Sequence, residues 1–235
     1  MRRLKPEILN RLGIDALRYN ISSRFTVPGD YTFWVPAHEA GHAVVAIASN
    51  NIPEYVRIFP GQNTGGVAML ANNRTNDNEW EAKIAAAGLA AEMMVQDSER
   101  PTLPEKEFYL AALNRALSDR EYFARHLNFA AIGVDPNDLP ELTKLFFEYA
   151  WRKTRPVILA NMPMFTAFRT ALRNYPFVGI ASIRKITRRE TPNQRDLDLD
   201  RLQEQCVIAN VPYLEEPESL ASKIMGRVKE LLRRS

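Results

Sequence analysis

Cysteine is nearly absent from this chain: of 235 residues, only Cys206 carries a thiol. One thiol closes no intrachain disulfide and builds no cysteine-based zinc site, and its scarcity points mildly to a reducing compartment. Long apolar runs are missing as well. Nothing approaches the roughly 18–20 consecutive apolar residues that a membrane-spanning helix needs. The basic start Met1-Arg2-Arg3-Leu4-Lys5-Pro6 has no apolar run behind it and so does not read as a secretory signal. A cytoplasmic location is therefore the expectation. An excess of one charge is lacking too, since 31 Lys and Arg against 28 Asp and Glu leave only +3, too little to argue for nucleic acid as a partner. No G-x-x-x-x-G-K-[ST] phosphate loop occurs, nor any internal repeat or low-complexity tract.

What is present suffices for a folded core, with 46% apolar residues. Residues 7–19 carry Ile8, Leu9, Leu12, Ala16 and Tyr19 near helical spacing, an imperfect amphipathic helix whose simplest use is packing on its own domain. Pro28-Gly29-Asp30 signals a turn. An alanine-rich helix is expected over about 32–49, closed by Asn50-Asn51 and Pro53. Residues 55–60 and 65–70 read as two short strands of a hairpin. Helices are expected over 78–96, 105–128, 139–154 and 156–173, with a loop over 133–140. Beyond 174 the chain turns charged, with a linker near 187–200 and a last helix over 217–234. The basic cluster from Arg184 to Arg189 reads as solvated surface. The fold class expected is α+β, mainly α-helical, with a small β-sheet and a C-terminal helical bundle. The expected divisions are an N-terminal extension over 1–33, a central domain over 34–173 and a C-terminal extension over 174–235.

The chemistry concentrates in His38-Glu39-Ala40-Gly41-His42, an H-E-x-x-H sequence inside the first alanine-rich helix. Residues i and i+4 share a helix face, so both imidazoles can reach one ion about 2 Å away. The glutamate beside the first histidine is then placed to activate a water as general base. The chain holds only three histidines, yet two fall at this spacing around a glutamate. A chance match in a chain this long arises on the order of a few times in a thousand. A catalytic zinc site normally takes three protein ligands and leaves one position for water. Ala48 rules out the pattern with a third histidine six residues after the second. Glu92, Asp119 and His126 remain as third-ligand candidates, and spacing alone does not choose among them.

Four blocks in order resemble the peptidase domain of FtsH-type membrane AAA proteases. They are HEAGHAVVA (38–46), VRIFPGQNTGGVAML (56–70), IAAAGLAAEMMVQD (84–97) and LNRALSDREYFARHL (113–127). The likeness covers roughly residues 34–173. It implies a zincin-like fold with zinc held by His38, His42 and Asp119, Glu39 as general base and Glu92 in a supporting place. It also implies an edge strand, Gly65, Gly66, Val67, Ala68 and Met69, along which an extended polypeptide would pair main chain to main chain. His126 is then a packing or surface residue. The third block lacks the family's arginine and second acid. The family's ATPase module and membrane anchors find no counterpart either, so the activity expected is an ATP-independent zinc metalloendopeptidase acting on unfolded or flexible polypeptides. Self-association into a homo-oligomer fits the family, which forms rings. Two other readings stay open: a regulatory metallopeptidase with one dedicated protein partner, and a peptide-binding relative without turnover.

Overall fold

A computed structural model describes residues 31–59, 66–70, 77–98, 108, 112–113, 116–128, 132–135 and 138–210. The helices expected over 7–19 and 217–234 lie outside these residues, as does Gly65.

Helix α1 (Tyr31–Ala48) is the axis of the fold. Every residue from Trp34 to Ile47 is buried. A helix buried on all sides has neighbours on all sides, and here the main ones are α3 (Ala87–Ser98) and α7 (Met162–Asn174). Alanines at 37, 40, 43 and 46 keep the surface of α1 low enough for that close approach. The helix stops at Asn50, whose φ of 62° is left-handed. Asn50 and Asn51 donate their amides back to Ile47 and Ala46, a terminating pattern that satisfies two orphan carbonyls.

Strands β1 (Pro53–Ile58) and β2 (Gly66–Leu70) form the expected antiparallel hairpin, with Val56 opposite Ala68. A third strand, β3 (Phe177–Gly179), pairs antiparallel with the other side of β1 and sets Val178 opposite Val56. The order is β2-β1-β3, so β2 is an edge among the described residues.

The single helix expected over 78–96 is two helices, α2 (Asn78–Ala85) and α3, which meet at Ala86. Asp77 caps α2 by accepting from the amides of Glu79 and Trp80. Of the stretch 105–128, α4 (Leu117–Arg125) is a described helix. Helix α5 (Leu139–Tyr149), capped by Asp138, runs into a π-helical turn (Ala150–Thr154), and α6 (Arg155–Ala160) precedes α7. A buried cluster that includes Phe108, Phe123, Phe146, Phe147 and Phe168 packs around the helices.

The chain beyond 174 departs from the expected linker and separate extension. After β3 come α8 (Ile180–Thr187) and α9 (Gln194–Ile208). Asn193 accepts from the Asp196 amide while the Asp196 carboxylate accepts from the Asn193 amide, a capping box that starts a helix inside the supposed linker. Gln203 of α9 accepts from the Ile180 amide and donates to the Glu54 carbonyl of β1. Residues 177–208 are thus tied into the same sheet as the hairpin. Among the described residues no helix is long and apolar enough to cross a membrane.

Candidate metal centre

His38 and His42 lie one turn apart on α1, with their Nε2 atoms 3.1 Å from each other. Each ring is fixed from behind through Nδ1. His38 Nδ1–H donates to Glu92 Oε1 at 2.8 Å, and His42 Nδ1–H donates to the Ile84 carbonyl at 2.7 Å. Ile84 belongs to the last turn of α2, and its carbonyl, which also accepts from the Ala86 amide, supplies the acceptor from that helix end. With Nδ1 engaged on both rings, both Nε2 lone pairs are turned to the same point, as metal-binding imidazoles require.

Asp119 completes the cluster from the first turn of α4. Its Oδ2 stands 2.9 Å from His38 Nε2 and 3.3 Å from His42 Nε2. Ligand atoms about 2.0–2.1 Å from a tetrahedral ion are about 3.3 Å from one another. The three separations here fall short of that by at most roughly 0.4 Å, a small opening. His38, His42 and Asp119 therefore could hold a metal ion.

Close approach of α1 and α3 makes this arrangement possible, and it depends on missing side chains. A Cβ on Gly41 would stand 2.5 Å from the Ala87 carbonyl oxygen and 2.7 Å from the Ala91 methyl. One on Gly88 would stand 2.3–2.5 Å from three atoms of the His38 ring. Gly88→Ala is expected to lower stability by about 1–3 kcal/mol through overpacking and to displace the His38 ring. Thermal unfolding and metal content of the variant measure the two effects.

Glu39 is buried beside the pair, with 4% of its surface exposed. Burial raises its pKa; the neighbouring histidines oppose that rise, and Asp119 adds to it. For Asp119 burial also works toward a raised pKa, but His42 and the hydrogen bonds of both rings outweigh it and hold the carboxyl well below the usual range. Burial would lower the pKa of His38, yet contact with Asp119 and Glu92 raises it well above the ordinary value. The carboxylates that favour a proton on His38 would equally favour a bound cation beside it.

Of the three third-ligand candidates, Asp119 faces the Nε2 atoms. Glu92, fully buried, faces the far nitrogen of His38 instead. His126 caps the end of α4, where it meets Asn78 and the Tyr122 ring, and belongs to no metal cluster among the described residues. Gly66 of β2 lies directly on Glu39, while Ala68 packs against the core and Met69 is exposed.

No known family model and no curated protein matches this chain. What the site can do is therefore read from its own geometry. Two contributors were not foreseen from the residues: the Ile84 carbonyl, which follows from a helix break no pattern signals, and Gly88, whose hint was the run of small residues Ala85-Ala86-Ala87-Gly88.

Proposed function

We propose that the protein is a zinc metallopeptidase that hydrolyses unfolded or flexible polypeptides without ATP. The observation that carries this reading is the buried Glu39 carboxylate, set between three converging ligand atoms and an edge strand. Two imidazoles and one carboxylate suit zinc better than the all-oxygen surroundings preferred by magnesium or calcium. His38, His42 and Asp119 would hold the ion, and Glu92 and the Ile84 carbonyl would fix the imidazoles. Bound there, zinc supplies a Lewis acid that acidifies a water and polarises a peptide carbonyl. Glu39 accepts the proton from the attacking water and can return it to the departing amine. Among the described residues no strand pairs with the outer edge of β2, and an extended polypeptide that paired there would be held with little demand on its sequence.

The test is cleavage of an unfolded model protein, casein for example, in the absence of ATP. Cleavage that stops on treatment with a zinc chelator and returns with added zinc is the expected result. Zinc-loaded protein that leaves both this substrate and a set of unstructured peptides intact would overturn the reading of a general peptidase.

A further inference from the structure

The hairpin has a second task at this site. Gly66 opens β2, and a Cβ placed on it would stand 2.5 Å from Glu39 Cγ, 2.7 Å from Glu39 Cδ and 2.6 Å from the Arg57 carbonyl oxygen. The last of these is backbone of β1 and cannot swing aside. The strand therefore lies flat on the Glu39 side chain at the one position where only glycine fits. The Gly66 backbone also favours the charged form of the Glu39 carboxylate, as an amide turned toward it does. Glu39 is thereby gripped by main chain that is itself held in register with β1, Gly66 opposite Ile58.

We propose that Gly66 is the positioning residue for Glu39, and that pairing of an extended peptide along the outer edge of β2 and orientation of the Glu39 carboxylate are coupled through that one amide. The second half rests on the peptidase reading; the first half does not. The physical basis is that an edge strand, paired on one side, gains order when a further strand pairs with its open side. Residues 66–70 are flanked by β1 on one side only among the described residues, so a peptide on the open side would stiffen the strand that carries the amide. Substrate would thus arrive already matched to an ordered base. A peptide that occupies the site without pairing to β2 would find Glu39 less well held, so the hairpin selects extended substrates at the chemical step as well as at binding.

Two measurements test this. In ¹⁵N–¹H spectra of the zinc-loaded protein the Gly66 amide should be protected from hydrogen exchange. That protection should fall about tenfold or more in Glu39→Ala, and rise when a saturating, uncleaved extended peptide is added to Glu39→Gln, whose amide oxygen still accepts the bond. In cleavage assays Gly66→Ala, less stable but assayed below its unfolding temperature and with zinc bound, should show kcat lowered about 10- to 100-fold while KM changes far less. A Gly66 amide that exchanges equally fast in wild type and Glu39→Ala overturns the positioning role. Equal losses in kcat and in zinc content for Gly66→Ala overturn it also, since they would mark mere structural damage. Gly66 protection that depends on Glu39 but ignores bound peptide removes the coupling and leaves the positioning. If wild type cleaves nothing while the amide contact is present, the peptidase reading fails and the contact between Gly66 and Glu39 stands.

Discussion

Replacing Glu39 by glutamine should abolish nearly all peptide hydrolysis while leaving bound metal and fold as they are. The variant separates proton transfer from everything else at the site. Glutamine has the size of glutamate and keeps an oxygen able to accept from Gly66, so neither the packing under β2 nor the hairpin register is disturbed. None of the three converging ligand atoms belongs to residue 39. What is lost is the capacity to take a proton, which for a positioned general base is worth about 10²- to 10⁴-fold in rate. Metal analysis alongside kcat makes the result decisive. A variant with full metal and undiminished turnover would remove Glu39 from the chemistry.

Asp119→Ala should act one step earlier, on retention of the ion. Of the three residues that could hold a metal ion, Asp119 alone does not come from α1, and its Oδ2 lies within 3.3 Å of both imidazoles. Two histidines without it leave an open, two-coordinate position. Loss of an outer partner behind a ligand usually costs 10- to 100-fold in metal affinity; loss of the ligand itself should exceed about 100-fold. Competition with a fluorescent zinc chelator would measure it, and unchanged affinity would send the search for a third ligand elsewhere. The variant also strips His38 and His42 of the carboxylate that faces their Nε2 atoms. Its effect on metal-free stability, read by thermal unfolding, should therefore be smaller than its effect on metal affinity, because part of the buried charge disappears with it.

The motif helix and the hairpin were legible because both rest on local rules, the i,i+4 spacing of His38 and His42 and the two short strands flanking a glycine-bearing turn. Which acid meets the imidazoles was not. Glu92 and Asp119 both lie near the histidines in the fold, and the difference between facing Nδ1 and facing Nε2 is set by how α3 and α4 cross α1. No periodicity within either segment encodes that crossing. β3 escaped notice because Phe177-Val178-Gly179 is too short for alternation to register, and its strand character comes from β1 beside it. The α9 helix was missed for another reason. Its acidic and basic residues, Arg195, Asp196, Asp198 and Asp200, read as linker, although Asn193 and Asp196 stand at capping-box spacing. Ala86 divides a stretch whose composition is helical throughout, so the break reflects packing rather than propensity.

The bond from Gln203 to the Glu54 carbonyl joins residues 149 apart in sequence. It gives the protein a timetable. During synthesis the histidines, Glu39 and the hairpin emerge before Asp119, and β1 lacks its second neighbour until β3 and α9 have left the ribosome. Contacts that span so much chain form late. On the peptidase reading proposed above, the first unfolded polypeptide within reach is the protein's own unfinished chain. A sheet completed only once residues 177–203 are made postpones a settled hairpin, and with it a settled Glu39, until the helices that precede them have been made.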